Sequence, residues 1–201
     1  MGVERMNEGM ANHEAPIAAL KEWASAIEAL GAGEQIMLMR KGGIVEETKD
    51  FRLVSPRFYL MPTYEHQRRE LLKEPYRGLV DRTIDEWDPQ ARTVRIAYYA
   101  EAVHDLEIDD QAMLDKLREF HIWTDAFADE RLKWKRKQPL HVLLLRVYRL
   151  SQPIDIPLLD AYTGCKSWVS LERKMPSMDR SPVLSDEMFQ EVVTNIIESL
   201  D

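Results

Sequence analysis

Leu140-His141-Val142-Leu143-Leu144-Leu145-Arg146-Val147-Tyr148-Arg149-Leu150 is strongly apolar, β-branched in places, and bounded by Pro139 and Pro153. Prolines are confined to the margins of paired strands, so this segment reads as a strand, expected near the centre of a sheet. Upstream, residues 92–102 alternate, with Val94, Ile96, Tyr98 and Ala100 on one face and Arg95, Ala97, Tyr99 and Glu101 on the other. That is the pattern of a long half-buried strand. Downstream, residues 154–157 are expected to continue as an edge, and residues 167–171 to form a last short strand before Pro176 and Pro182.

Working towards the N-terminus, Pro16 suits a first helical turn, and Ile17, Leu20, Trp23, Ala24, Ile27 and Leu30 recur at helical spacing until Gly31 and Gly33. Residues 34–41 read as a mostly buried strand followed by a Gly42-Gly43 turn, and residues 51–54 and 58–61 as two short strands. Thr63 is expected to cap a helix running to Lys73, closed by Pro75 and Gly78. Asp109 or Asp110 caps a helix with Met113, Leu114, Leu117 and Phe120 inward, and a second helix covers residues 124–134. The last helix begins at Ser185 and is expected to bury Met188, Phe189, Val192, Val193, Ile196 and Leu200.

Short strands in groups, rather than strict strand–helix alternation, indicate the α+β class with a mixed or antiparallel curled sheet, or a small barrel, flanked by helices. The expected organisation is a flexible tail over residues 1–14, one α+β domain over residues 15–175, and a linker with an amphipathic helix packed on it over residues 176–201.

The chain of 201 residues is 45% hydrophobic with five tryptophans, enough to build a core, and its single cysteine rules out internal disulfides and cysteine zinc cages. No apolar run approaches the roughly 20 residues that cross a bilayer, and residues 1–14 lack the apolar core of a secretory signal. A cytoplasmic location is therefore expected, with no membrane contact. The net charge of −8 argues against indiscriminate polyanion binding. Much of the acidity lies in Asp186, Glu187, Glu191, Glu198 and Asp201, leaving the remainder able to hold basic patches.

Several constellations carry possible chemistry. Arg40-Lys41-Gly42-Gly43 ends a strand with two cations and open backbone amides, a nest for an anion or simply a hairpin turn. Pro62-Thr63-Tyr64-Glu65-His66-Gln67 places polar and aromatic groups at an expected helix start, with His66 the candidate acid or base, against the alternative of a Thr cap over a packed Tyr64. Gly164-Cys165-Lys166-Ser167-Trp168 offers Lys166 and Ser167 to a phosphate, against structural packing of Cys165 and Trp168. His121, Asp125 and Asp129 have metal-like spacing but read better as surface charge, and no metal or cofactor is expected. Lys133, Lys135, Arg136 and Lys137 beside Trp134 combine cations with an aromatic, as nucleic-acid contacts do and as solvated helix ends also do. Glu172-Arg173-Lys174 has the letters of a metal-dependent nuclease motif without a partner carboxylate.

Ala19-Leu20-Lys21-Glu22-Trp23-Ala24, Leu38-Met39-Arg40-Lys41-Gly42-Gly43-Ile44, the Pro62–Gln67 hexapeptide and Gly164-Cys165-Lys166-Ser167-Trp168-Val169 resemble a bacterial domain-of-unknown-function family, number 1802. That resemblance spans about residues 19–171. It implies no assigned activity and no site residues, only a restriction-type context. The opening helix–glycine–strand order is also similar to small pseudouridine-synthase-and-archaeosine-transglycosylase-like barrels, some of which read RNA or modified bases.

Two functions follow as expectations. One is a nucleic-acid-binding module using Arg40, Lys41, Gly42, Gly43, Tyr64, His66, Gln67, Lys166, Ser167 and Trp168. The other is a small hydrolase or nuclease with His66 assisted by Arg40 or Lys166. A regulatory protein-interaction role for the acidic last helix is a third. The first two turn on whether the segments at Arg40, Thr63 and Gly164 meet, and the third on whether the apolar face of the last helix is fully packed.

Overall fold

Ile17–Trp23, expected to open a helix, is instead a strand inside the sheet. The computed structural model describes residues 17–41, 51–134, 138–164, 166–172, 175–176 and 179–201. The tail 1–14, Pro16, Gly42, Gly43, Lys135, Arg136, Lys137, Cys165, Arg173 and Lys174, all named above, lie outside the described residues.

Seven strands are described: β1 (Ile17–Trp23), β2 (Met37–Arg40), β3 (Arg57–Thr63), β4 (Thr93–Ile108), β5 (Leu140–Pro157), β6 (Trp168–Leu171) and β7 (Arg180–Pro182). Five α-helices accompany them: α1 (Ala24–Ala32), α2 (Arg77–Asp85), α3 (Gln111–Lys116), α4 (Asp125–Lys133) and α5 (Asp186–Leu200). The strands form one sheet in the order β2-β5-β4-β3-β1-β6, with β7 also paired to β5. β1 and β3 run parallel and the other described pairs antiparallel, so the sheet is mixed, as expected. Its end strands β2 and β6 do not pair with each other, so the sheet stays open and the barrel considered from the sequence does not form.

The two sides of the sheet are covered differently. Residues from all five helices join one cluster, among them Leu30, Val80, Leu114, Phe127 and Ile196. The opposite face carries a smaller cluster with no α-helical residue in it, including Ala19, Met61, Ile96, Tyr99 and Val169, and closed by Tyr162 of a 3-10 turn. β1 lies between β3 and β6 with Ala18 and Leu20 in the first cluster and Ala19 in the second. A strand buried on both faces shows no period of two, and its apolar run passes equally well for a helix. The helix proper begins only at Ala24, where the Ser25 N–H donates to Gln67 Oε1 at 2.8 Å. It ends at Gly33, whose φ of 74° is the left-handed closure glycine permits.

β4 and β5 pair over most of their length with two register shifts. Between the pairs Ile96–Ile154 and Tyr98–Arg149, residues 150–153 oppose Ala97 alone, and this bulge accommodates Pro153 inside β5. The same irregularity breaks the expected alternation. Val94 and Ile96 face the second cluster, while Tyr98 and Ala100 face the first. Residues 51–54 form no strand, although Phe51 is buried.

Thr63 does not cap a helix. β3 continues to Thr63 in register with Trp23, and the Thr63 hydroxyl donates to the Glu22 carbonyl at 3.2 Å. A turn and 3-10 segments at Arg69–Leu71 and Glu74–Tyr76 follow. Pro75 then begins helical structure leading into α2, rather than ending it. Asp110, Thr124 and Ser185 cap α3, α4 and α5 through side-chain oxygens, as read. Met188 departs from expectation at 54% exposed, because α5 turns Phe189, Val193 and Ile196 inward.

Candidate functional site

β1 and β3 are adjacent and parallel, so their carboxyl ends stop side by side, at Trp23 and Thr63. Strand ends of this kind leave a crevice whose walls come from the following loops. Here the crevice is a cleft of about 590 Å³. β1 contributes Lys21, Glu22 and Trp23, and β2 with its following residue contributes Arg40 and Lys41. Thr63, Glu65, His66 and Arg68 come from the end of β3 and its turn, and Gly164, Lys166 and Ser167 from the approach to β6. Phe127, Glu130 and Arg131 of α4, with Trp134 just beyond it, form the remaining wall. The segments at Arg40, Thr63 and Gly164 therefore meet in one cleft.

Six lysines and arginines and three glutamates are among the described residues lining it, in a chain of net charge −8. Two lysines are occupied in holding the walls together. Lys21 donates to the carbonyls of Tyr162 and Gly164, both at 2.7 Å, and fixes the loop before β6. Lys41, only 5% exposed, donates to the Leu132 carbonyl in the last turn of α4, and burial lowers its pKa.

The floor is an ion pair with an extra cation. Arg40 Nη1 lies 2.9 Å from Glu22 Oε2, the two side chains being 15% and 9% exposed, and the guanidinium also lies over the Phe51 ring. Arg131 stacks on Phe127, with Cζ 4.9 Å from the ring centroid. Its pKa is lowered by burial, and next by Arg40, while Glu22 acts in the opposite direction. Two guanidiniums thus feel one carboxylate. Among the described residues, no carboxylate lies within ion-pair distance of Arg131. Trp134, 48% exposed, stands beside this floor.

His66 is the described non-glycine residue with positive φ, at 67°, and its exposed side chain lines the cleft. The left-handed region is costly for a residue with a Cβ, and such strain collects at functional turns. No hydrogen bond to a described residue orients its ring. Lys166 is exposed at the rim, reaching the Ala161 carbonyl at 3.4 Å, and Ser167 is buried with its carbonyl accepting from the Lys21 backbone.

Three residues read as binding groups lie outside the cleft lining. Tyr64 stacks on Trp87 at 5.3 Å and 5°, and burial, then Glu28 and Glu86, raise its pKa. Gln67 is buried between the Ser25 N–H and Thr83 and holds the start of α1. Trp168 packs edge-on to Phe58 and donates its Nε1–H to the Arg52 carbonyl. The absence of a helix at Thr63 also removes the helix-terminal anion site expected there. Arg146 of β5, outside the cleft lining, pairs with Asp186 at 2.5 Å, at the start of α5.

Lys21, Glu22, Arg68 and Arg131, which line the cleft, were not among the candidates legible in the sequence. A Lys-Glu pair at the end of an otherwise apolar segment was the available signal for the first two. His121, Asp125 and Asp129 do not form a metal site. Asp125 pairs with Arg118, Asp129 accepts from Gln111, and His121 is buried. Among the described residues, no group of three His, Cys, Asp or Glu is placed to hold a metal ion. No described helix is long and apolar enough to cross a membrane.

No curated protein matches the chain. Among solved structures, the ASCH protein from Zymomonas mobilis is similar with a TM-score of 0.45 and 12% identity, covering 91% of this chain and 94% of that one. A single-residue variant of the same protein gives a TM-score of 0.44 at 13% identity, covering 90% of this chain and 98% of that one. At the level of sequence, the family model described as Domain of unknown function (DUF1802) matches residues 19–195, and the chain belongs to that family.

Proposed function

We propose that the cleft binds nucleic acid, taking a backbone phosphate at Arg131 and Arg40 and a base against Trp134. The observation that carries this reading is Arg131, a half-buried guanidinium lying on the Phe127 ring, with no described carboxylate at ion-pair distance and a second guanidinium, Arg40, lining the same cleft. Cations removed from water are normally paired, and a phosphate entering here supplies the missing charge with bidentate geometry. The exposed Trp134 ring offers a stacking surface, and Arg68 and Lys166 at the rim extend the positive wall along a backbone. Concentrating cations in one cleft lets an acidic chain bind a polyanion locally without binding it indiscriminately.

The test is fluorescence anisotropy with labelled single- and double-stranded DNA and RNA over a salt series. The wild-type chain is expected to bind with log Kd rising linearly with log salt, and Arg131→Met to reduce the slope by about 0.7 to 0.9. Removing an uncompensated charge leaves the melting temperature unchanged or raises it, which separates a ligand-facing arginine from a structural one. An absence of salt-dependent binding, or an Arg131→Met chain that binds normally, refutes the reading.

A further inference from the structure

At the other end of the parallel pair, beside the first residues of β1 and β3, lies a second cavity of about 500 Å³ on the sheet face that no described α-helix covers. Its polar lining is Ser55, Arg57, Tyr59, Tyr99 and Arg180, and no described carboxylate is among its lining residues. The tyrosines belong to a row. Tyr59 of β3 is the cross-strand partner of Tyr99 of β4, which is the partner of Tyr148 of β5. Their ring centroids are 5.4 and 6.2 Å apart, and Arg180 lies 3.8 Å above the Tyr99 ring and 5.2 Å from that of Tyr148.

Both arginines have donors to spare. Arg57 and Arg180 share Glu101 as ion pairs at 3.4 and 3.8 Å, and neither guanidinium donates a hydrogen bond to a described residue. Arg57 is 70% exposed. Two guanidinium forks, phenolic hydroxyls and flat rings on an apolar floor match the alternating phosphates and bases of a single strand.

We infer that this cavity is a second contact for the same single-stranded nucleic acid, with phosphates at Arg57 and Arg180 and a base on the half-buried Tyr59 ring, which the buried Tyr99 backs. The inference rests on the cleft reading above. β1, which runs from one site towards the other, has seven residues and a length of about 20 Å, so a strand reaching both faces needs at least roughly six nucleotides at a stacked rise of ~3.4 Å. The bases of a duplex are already stacked on one another and cannot lie on an aromatic side chain, so single strands are the preferred form.

The experiment compares oligonucleotides of about three and about twelve nucleotides on the full chain and on the variants Arg57→Ala, Arg180→Ala and Arg131→Met. Arg57→Ala and Arg180→Ala are each expected to weaken the long strand about five- to tenfold, to lower its salt slope by about 0.7, and to leave the short strand unchanged. Arg131→Met weakens both lengths. Should Arg180→Ala disturb folding, Arg57→Ala, at a position exposed to solvent, remains decisive. If Arg131→Met weakens binding while Arg57→Ala leaves the long strand unaffected, the second contact is overturned and the cleft stands. If the wild-type chain binds neither length, both are overturned.

Discussion

Replacing Glu22 with Gln is expected to move stability and nucleic-acid affinity in opposite directions. Glu22 Oε2 sits 2.9 Å from Arg40 Nη1 with little solvent on either side chain, and Glu22 Oε1 accepts the Trp23 N–H at 2.7 Å. Breaking a buried pair by removing one charge costs about 3–5 kcal/mol. Glutamine keeps one neutral acceptor oxygen, which serves one of the two donors, and Arg40 retains the Lys21 carbonyl at 3.4 Å and the Phe51 ring. The cost therefore falls to about 2–3 kcal/mol. In a chain of this size that lowers the melting temperature by roughly 5–10 °C. The released Arg40, now beside Arg131 with no carboxylate between them, becomes available to phosphate. Binding to a single strand is expected to tighten about three- to tenfold, with the salt slope steeper by about 0.7. Urea denaturation with and without oligonucleotide, alongside anisotropy, measures both effects, and added ligand should restore much of the lost stability. A folded Glu22→Gln chain that binds no more tightly than wild type would refute the assignment of Glu22 as the internal counter-charge of the cleft.

His66→Gly relieves the left-handed backbone and is expected to stabilise the fold by about 0.5–1 kcal/mol. A destabilised variant in thermal melts would show that the His66 side chain anchors the turn. Gly31→Ala should instead destabilise by about 1–3 kcal/mol, because a Cβ there would lie 2.2 Å from Cζ of the buried Tyr98 ring, and urea midpoints will show it. His121 is held neutral by burial and, after that, by Lys73, with its pKa lowered to about 4. Its folded value lies below the unfolded one of ~6.5, so the unfolded chain takes up the proton first. Stability should fall from about pH 6.5 towards pH 4, by on the order of 3 kcal/mol from this group alone, and His121→Phe should flatten that limb in a pH series of denaturation midpoints.

The parts of the molecule legible in one dimension are those decided by neighbours in sequence. The caps at Asp110, Thr124 and Ser185 act within a single turn, so the starts of α3, α4 and α5 were readable. The long alternating and apolar runs likewise announced β4 and β5 as strands and the α+β class. Arg40, Lys41, His66, Lys166 and Ser167 were recognisable as polar groups at turns, and the structure collects them in the cleft. Tyr64, Gln67 and Trp168 carried the same outward signs, yet each is consumed by a packing or hydrogen-bonding partner distant in sequence.

By itself the sequence determined the class, the two long strands and the capped helices, because propensity and side-chain capping act over a few residues. Tertiary structure alone decided that Ile17–Trp23 is a strand, since burial on both faces erases the period that would have distinguished it from a helix. The same placement decided the cleft. Only the parallel pairing of β1 with β3 sets Trp23 beside Thr63, and only the packing of α4 brings Arg131 over an ion pair made between strands that are not neighbours in the sheet. An unbalanced charge is a property of distances between elements, and those distances are absent from the order of residues along the chain.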